Sequence, residues 1–306
     1  MPALRIIGPE IEPQLDWIAL TDAIAQAHEL PRAEVADSFL YRGGDTLLTR
    51  SAWIDGLGLA VKPATVFPGN GAQGLPTING AVNLLDDATG QLQAIVDFHL
   101  VTKWKTAGDS LLSARRLARP DARRVLVIGA GNVAASMIDA YRALIPDARI
   151  TVCSRTASAA QALAGRTGAC AVADLEPAVR DAEIIATATM SREPVLRGEW
   201  LSPGTHVDLI GAYRPDMREA DDEVLRRARL FVDSRVTTLG HIGEIQDPID
   251  RRVIAETDIL ADFYDLPAGA FARRSDDEIT VAKNGGGAHL DLMTASYILG
   301  VAGGTV

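Results

Sequence analysis

Sulfur and imidazole ligands are scarce in this sequence, which has two cysteines and five histidines in 306 residues. Cys153 and Cys170 lack the spacing of metal ligands, and the histidines form no H-x-x-x-H pair, so we predict no metal site. A chain of this length can bury an ordinary core without a disulfide, and we expect both thiols to be reduced.

Long apolar stretches and an excess of positive charge are also missing. No run of about 18 apolar residues indicates a transmembrane helix, and the N-terminus lacks the apolar segment of a signal peptide. Acidic residues outnumber basic ones by 40 to 30, giving a formal net charge of −10, and an acidic surface disfavours nucleic acid as a general partner. We therefore expect a cytoplasmic protein that binds small molecules and neither membranes nor nucleic acid.

The length favours two domains, and the first third of the chain differs in pattern from the rest. After a predicted helix at 16–30, several β-like runs follow one another without a helix between them, at 38–67, 80–86 and 91–98. A helix is predicted next, at 106–118. Consecutive strands of this kind indicate an antiparallel or mixed sheet.

From residue 123 onward, short apolar runs alternate with helical patterns, which is typical of a doubly wound parallel sheet. The predicted strands are 125–128, 149–153, 184–187, 206–210 and 230–232, and the predicted helices are 132–144, 157–165, 174–180 and 219–228. We expect the six-stranded sheet of such a fold to be complete before residue 281. The last helix, 289–299, should then pack back on the first domain.

A glycine motif joins the first of these strands to its helix. Gly129, Gly131 and Ala134 have the spacing G-x-G-x-x-A, in which the glycines allow a tight turn and a close approach of pyrophosphate to the backbone. The N–H groups at the helix start, at Asn132 and Val133, then bind the phosphates. Between a buried strand and a helix this motif predicts a dinucleotide site.

The residues after the second strand of this sheet predict the cofactor's phosphate state. NAD-specific sites place an acid there to bind the ribose 2′-hydroxyl, whereas this chain has Ser154, Arg155 and Thr156. A guanidinium and two hydroxyls favour a 2′-phosphate, so we predict NADP(H) over NAD(H). The alternative is a surface arginine with relaxed cofactor choice.

Ligands of open parallel sheets bind beyond the carboxyl ends of the strands. The residues predicted on this basis to line the nicotinamide are Thr187, Ala188, Thr189, Gly211 and Ala212. Asp208, at the end of the same strand as Gly211, is more typical of a hydrogen-bonded structural acid.

Two lysines of the first third stand in places where a positive charge is costly. Lys62 lies in an apolar strand-like run, where an inward lysine needs an anion. Lys105 stands at the predicted helix start, where its charge opposes the helix dipole unless an anion lies between. Either side chain could instead face solvent. Thr106, next to Lys105, is predicted to contact the cofactor.

Several longer segments resemble the ornithine cyclodeaminase/μ-crystallin family. They are K-P-A-T-V-F-P-G-N (62–70), N-L-L-D-D-A-T-G (83–90), L-V-T-K-W-K-T-A-G-D-S (100–110), V-L-V-I-G-A-G-N-V-A (125–134) and G-A-Y-R-P-D-M-R-E (211–219). The resemblance implies a discontinuous α+β substrate and dimerisation domain, residues 1–119 plus 285–306, and a Rossmann domain, residues 120–284. It further implies a homodimer and an NAD(P)-dependent enzyme of amino and imino acids.

The same resemblance assigns residues to a substrate pocket. Arg32, Lys62 and Thr77 match residues around the substrate carboxylate, and Lys105 stands where most members have arginine, so a bidentate fork is replaced by a point charge. Tyr213 replaces the catalytic aspartate of ornithine cyclodeaminases. Ketimine reductases of the family also lack that acid, with G-A-S-R-P in μ-crystallin, and Ser154-Arg155-Thr156 resembles the NADP(H)-using branch. These two features, at Tyr213 and at Ser154–Thr156, point to reduction.

These residues together predict an NAD(P)H-dependent reductase of a cyclic ketimine carboxylate, either Δ1-pyrroline-2-carboxylate or Δ1-piperideine-2-carboxylate. Lys62 and Lys105 are the predicted catalytic residues. Arg32 and Lys105 would hold the carboxylate, and Lys62 would either hold it too or protonate the nitrogen. The alternatives are ornithine cyclodeaminase, an alanine- or opine-type dehydrogenase, and a non-catalytic NADPH-binding protein like a crystallin.

Overall fold

The computed structural model describes residues 4–303 and divides the chain into two compact units. The first unit contains the residues up to Lys105 and those from Gly287 onward, and the second unit is Thr106–Gly286. The boundary between the units lies between residues 105 and 106. It falls within helix α2, which runs from Phe98 to Leu117. The functional domains predicted above, 1–119 plus 285–306 and 120–284, stay a prediction.

The first unit is one sheet with helices packed against it. Its order is β1-β6-β5-β4-β3-β2, antiparallel except for the parallel pair β1 and β6. The strands are β1 (Arg5–Ile7), β2 (Glu34–Arg42), β3 (Asp45–Ile54), β4 (Gly58–Val66), β5 (Ile78–Leu85) and β6 (Leu92–Asp97), and the helices are α1 (Trp17–Ala27) and α9 (Ala288–Val301). Helix α9 packs on α1 and on strands β2 to β6.

Strand β4 shows why a lysine is buried in this sheet. Side chains alternate between the two faces of a strand, and in β4 the buried positions are Gly58, Ala60, Lys62 and Ala64. Lys62 therefore belongs to the inward set, on the face covered by α9. The apolar pattern around it leaves no register that would turn it outward without exposing its alanine neighbours.

Helix α2 begins earlier than the sequence predicts. The Asp97 carboxylate accepts a hydrogen bond from the backbone N–H of Leu100 at 2.7 Å, which is the geometry of an N-cap. The helix therefore starts at Phe98, and Lys105 lies more than one turn inside it. The argument that Lys105 opposes the dipole at a helix start is wrong, although its charge still acts in the first unit, as described below.

The second unit is a doubly wound parallel sheet, as predicted, but it has eight strands. Their order is β13-β12-β14-β11-β10-β7-β8-β9. The strands are β7 (Arg124–Ile128), β8 (Arg149–Cys153), β9 (Cys170–Ala171), β10 (Ile184–Thr187), β11 (His206–Leu209), β12 (Ala228–Val232), β13 (Ile259–Ala261) and β14 (Ile279–Lys283). The helices of this unit are α3 (Asn132–Leu144), α4 (Ala157–Thr167), α5 (Leu175–Asp181), α6 (Asp222–Arg227), α7 (Arg235–Thr238) and α8 (Gly243–Asp250).

The expectation that the sheet is complete before residue 281 is wrong. Strand β14 enters last and lies between β11 and β12. The run Ile279–Lys283 ends in a charged residue that is followed by Asn284 and a glycine run, so its apolar pattern is too short to identify a central strand. The helix predicted at 219–228 is also shorter: it starts at Asp222, because the Asp221 carboxylate caps it through Val224 N–H at 3.0 Å.

Three further findings concern residues 4–303. None of the helices there is both long and apolar enough to cross a membrane. The described side chains also contain no cluster of three or more His, Cys, Asp or Glu suited to a metal ion. Cys153 is a buried free thiol and Cys170 an exposed one.

Candidate active site

Lys62 is held in the first unit by two hydrogen bonds and an aromatic ring. Its Nζ donates to Asp291 Oδ1 at 2.8 Å and to Thr102 Oγ1 at 2.9 Å, and it lies 4.6 Å from the centre of the Phe98 ring. The residue as a whole is 6% exposed. These bonds use two of the three ammonium protons, so among the described residues one donor stays available for a ligand.

Further positive charges surround this lysine. Arg50 lies directly opposite Lys62 in the β3–β4 pair, at a spacing of about 5 Å between Cβ atoms, and its Nη2 contacts Asp37 Oδ2 at 3.1 Å. Burial lowers the pKa of Lys62; Asp291 opposes this shift, and the charges of Lys105 and Arg50 add to it. Because burial disfavours the charged form, this ammonium gives up its proton more readily than an exposed lysine does.

Asp291 supplies the negative charge of this cluster. It lies on α9 and is fully buried. Burial by itself would raise the pKa of Asp291, but the charges of Lys62 and Lys105 outweigh that effect and lower it. Its second oxygen, Oδ2, is buried and accepts no hydrogen bond from the residues that the structure describes.

The other residues predicted to bind the substrate lie elsewhere in the first unit. Lys105 is half-buried on α2, and it contributes to the pKa shifts of both Lys62 and Asp291. Arg32 is exposed in the segment after α1, and Thr77 is exposed directly before β5, where its backbone oxygen accepts from Phe67 N–H at 2.8 Å. The roles of these three residues and of Lys62 stay predictions.

A cavity of about 520 Å³ opens in the second unit at the carboxyl ends of β7, β8 and β10. Six of the predicted cofactor residues line it: Gly129, Ser154, Arg155, Thr156, Ala188 and Thr189. Asn132 and Val133 form the first turn of α3, and Thr106 lies on α2. The predicted grouping of the glycine turn with the Ser154–Thr156 segment is therefore present in the structure.

The glycine turn has the shape that a dinucleotide requires. At Gly129, φ is +131° and a Cβ atom would lie 2.4 Å from the backbone oxygen of Ala188, so the fold itself demands glycine. At Gly131, a Cβ would meet no atom of residues 4–303 within 4 Å, and no side chain in that range caps the N-terminus of α3. The fold leaves this space open, and a pyrophosphate on the helix N-terminus fits it.

Two predicted nicotinamide residues do not face the cavity. Thr187 and Ala212 are fully buried: the hydroxyl of Thr187 donates to Glu219 Oε2 at 2.7 Å, and Ala212 packs with Met217 and Ile242. Their prediction as lining residues is not supported by side-chain exposure, because a strand end turns only part of its residues toward the ligand.

Glu219 connects the two segments that follow β10 and β11. Its carboxylate accepts from Thr189 N–H and Oγ1, both at 2.7 Å, from Gly211 N–H at 2.7 Å, and from Ala212 N–H at 3.3 Å. The side chain is fully buried. Backbone donors of this number stabilise a buried carboxylate, and they fix Thr189 in the cavity wall.

A second buried carboxylate supports the first. Glu244 accepts from the backbone N–H of Glu219 at 2.6 Å and of Ala220 at 3.0 Å. Burial raises the pKa of Glu244 to about 7, and the charge of Glu219 adds to the shift. Lys283 lies fully buried in the same unit, where burial lowers its pKa and Glu219, Glu244 and Asp233 act against that.

Asp208 is a structural acid, as the sequence favours. It is fully buried and accepts a hydrogen bond from the hydroxyl of Tyr141, and its other oxygen lies 3.3 Å from Nε2 of His206. Burial and the Asp208 charge raise the pKa of Tyr141 well above its usual value.

Sequence reasoning missed Asp291, Arg50 and Glu219. For Asp291 a signal existed, since it is the single acid in the stretch H-L-D-L-M-T-A-S-Y-I-L, which contains no lysine or arginine. Arg50 could have been found only from the strand register that places it opposite Lys62. For Glu219 the sequence holds no such signal, because its partners are mainly backbone N–H groups.

Comparison with known proteins agrees with this arrangement. Among curated proteins, the chain is 54% identical over 298 residues to the Δ1-pyrroline-2-carboxylate reductase of Paracoccus denitrificans, covering 95% of this chain and 94% of that protein. Among solved structures, the Thermococcus litoralis Δ1-pyrroline-2-carboxylate reductase in complex with NADH and L-proline superposes with a TM-score of 0.87 at 26% identity, covering 97% of each chain.

An archaeal alanine dehydrogenase, a dimer with bound NAD, superposes equally well, with a TM-score of 0.87 at 28% identity over 98% of this chain and 96% of that one. The family model of the ornithine cyclodeaminase/mu-crystallin family matches residues 52–304. The resemblance stated from the sequence motifs is thereby confirmed: this chain belongs to the ornithine cyclodeaminase/mu-crystallin family.

Proposed function

We propose that this chain is an NAD(P)H-dependent reductase that converts Δ1-pyrroline-2-carboxylate to proline. The observation that carries the proposal is the buried, protonatable Lys62 in a chain 54% identical to a reductase of that substrate over nearly its whole length. The first unit supplies the cations for an anionic substrate, and the second supplies a cavity that fits a dinucleotide.

Each of the predicted substrate residues in the first unit has a defined task in this reaction. Arg32 and Lys105 hold the substrate carboxylate, with Thr77 as a polar neighbour, and this orients the adjacent imine carbon. Lys62 protonates the imine nitrogen, because an iminium accepts hydride more readily than a neutral imine. A reduced nicotinamide, when bound, supplies the hydride.

The residues of the second unit hold that nicotinamide cofactor. Gly131, Asn132 and Val133 bind the pyrophosphate at the start of α3. The cofactor is NADP(H) in preference to NAD(H), since Arg155 is exposed beside Ser154 and Thr156 at the cavity and a guanidinium matches a 2′-phosphate. The solved relatives carry NADH or NAD, so this preference belongs to the chain's own Ser154–Thr156 segment.

The proposed assembly is a homodimer formed through the first unit. All nine residues of the edge strand β2 are exposed, among them Phe39, Leu40 and Tyr41 at 47%, 68% and 73%. An exposed apolar edge strand offers its backbone groups to another chain. Light scattering of Leu40→Lys should show a monomer, while Leu260→Lys, on the edge strand β13, should leave the dimer intact. A monomeric wild type would reject the assembly.

The proposed reaction is tested by mixing the protein with NADPH and Δ1-pyrroline-2-carboxylate and following the loss of reduced cofactor. We expect turnover with the imine and negligible ammonia release from ornithine with NAD⁺. The exposed Tyr213 stands where cyclodeaminases have an acid, and a phenol is a poor base at neutral pH. Ammonia release at a rate comparable with imine reduction would return the chain to the cyclodeaminases.

A further inference from the structure

The ion pair between Lys62 and Asp291 joins the sheet of the first unit to its last helix. Lys62 Nζ lies 2.8 Å from Asp291 Oδ1, and both side chains are buried, at 8% and 0% exposure. None of the family motifs quoted above includes Asp291. The pair is therefore a feature of the site that the motifs do not assign.

The surroundings of the pair are unfavourable for a buried ammonium. The charged groups with the strongest effect on Lys62 are Asp291, Lys105 and Arg50, and only the first is an acid. On α9 itself, His289 faces the same cluster, and burial, His28 and Lys105 lower its pKa to about 3. This imidazole stays neutral at physiological pH and adds no counter-charge.

An ion pair with a purely structural role would be energetically unfavourable at this place. Each of two buried charges carries a desolvation cost, and this cost is recovered only when the remaining donors and acceptors are also satisfied. Here Asp291 Oδ2 accepts no hydrogen bond from the described residues. The carboxylate thus acts on Lys62 through one oxygen, and its charge is not shared with other described donors.

We propose that Asp291 is a positioning residue for imine reduction, which directs Lys62 Nζ and keeps it in the ammonium form that donates the proton. This inference rests on the proposed function. One proton passes from Lys62 to the imine nitrogen, and the imine carbon receives the hydride with its two electrons from the reduced nicotinamide. The C=N π bond is lost, and new N–H and C–H bonds form. Lys62 is left neutral, and the nearby carboxylate favours its reprotonation from solvent.

The test compares Asp291→Asn, which removes the charge at constant size, with Asp291→Glu, which keeps it. Thr294→Val is the matched control, because Thr294 is a fully buried residue of the same helix. Two readouts are measured against pH. One is the kcat/KM for the imine, and the other is the acetylation of Lys62 by acetic anhydride, quantified by mass spectrometry with Lys103 as internal reference.

The expected result is a shift of the Lys62 acetylation midpoint to lower pH by about one to three units in Asp291→Asn, the range for loss of an opposite charge at this distance. The alkaline limb of kcat/KM should move by the same amount. Asp291→Glu and Thr294→Val should keep the wild-type midpoint, even where the rate falls. If Asp291→Asn does not fold, Asp291→Ser, which also removes the charge, takes its place, and the same downward shift of the midpoint is expected.

An unchanged midpoint in a folded, active Asp291→Asn enzyme overturns the role of Asp291, and so does a lowered midpoint in Asp291→Glu. Failure of the proposed function is a different result: the wild type would then oxidise no NADPH with the imine. The acetylation midpoints need no turnover, so the two failures are told apart.

Discussion

Lys62 in the first unit and Lys283 in the second are both buried lysines on β-strands, but their partners differ. Lys62 donates to two side chains, Asp291 and Thr102. Lys283 donates to two backbone oxygens, of Leu209 at 2.9 Å and of Asn284 at 2.7 Å. Backbone oxygens cannot take up a proton or rotate away, so Lys283 is fixed in place. Lys62 has an ionisable partner and a donor left for a ligand.

The buried acids of the two units follow the same division. Glu219, Glu244 and Asp233 in the second unit accept mainly from backbone N–H groups, whereas Asp291 accepts from a lysine side chain. Charges tied to the backbone stabilise loops around the cofactor cavity. A charge tied to another side chain can change its protonation during a reaction. The difference separates residues that hold the site from residues that act in it.

The largest effect that would test this division comes from removing each lysine in turn. Lys62→Met should lower kcat/KM on the order of 10²- to 10⁴-fold, the usual contribution of a general acid, with NADPH affinity unchanged. Lys283→Met should instead lower the free energy of unfolding by about 3 kcal/mol, because buried carbonyls lose their donor, with less than tenfold effect on turnover. Steady-state kinetics, NADPH titration and urea unfolding measure these quantities. Equal losses of turnover in both folded variants would break the comparison.

The acids of the second unit should act on stability through pH. The pKa of Glu244 is raised to about 7 by burial, so the folded protein keeps this proton above pH 4.5, where the unfolded chain loses it. The stability contribution is complete below pH 4.5 and is lost as pH rises through 7. The difference in unfolding free energy between wild type and Glu244→Gln should therefore change by about 3 kcal/mol between pH 4 and pH 8. Parallel stability curves for the two proteins would contradict this.

The cofactor preference sharpens the comparison, because it should depend on the second unit alone. Arg155→Ala should weaken NADPH binding by about 1.5–3 kcal/mol, the range for hydrogen bonds to charged groups, and leave NADH nearly unaffected. Arg166→Ala, also an exposed arginine and placed at the end of α4, is the control and should change neither. Equal dissociation constants of the wild type for the two cofactors would reject the prediction.

The smallest effect is expected at Lys105, which is half-buried and is proposed to bind the carboxylate as a point charge. Lys105→Met should raise the KM for the imine about tenfold, since one charged hydrogen bond of about 1.5 kcal/mol is lost. The control is Lys103, which lies on the same helix as Lys105 and pairs with Glu12 at 2.7 Å. Lys103→Met removes that pair and should leave the KM unchanged. A loss of cofactor affinity in Lys105→Met, with the KM intact, would show that this lysine serves the other ligand.

Local periodicity explains what the sequence could predict. The apolar run of β4 singles out Lys62 but leaves open which face it takes. The strand–glycine–helix order predicts the turn at Gly129, because that turn depends on neighbouring residues only. The start of α2 was missed since F-H-L-V-T has the composition of a strand and its helix depends on one capping bond from Asp97. The place of β14 and the pairing of Asp291 depend on chain segments that return from far away, which no local pattern reports.

The distance along the chain between Lys62 and Asp291, 229 residues, has a consequence for biosynthesis. The sheet of the first unit leaves the ribosome early, but the helix that covers Lys62 follows only after the whole second unit has been made. Units fold largely as they emerge, so Lys62 lacks its counter-charge until translation has passed Asp291. A nascent chain stopped before that point carries every residue of the cofactor cavity and lacks the group that keeps its proton donor charged.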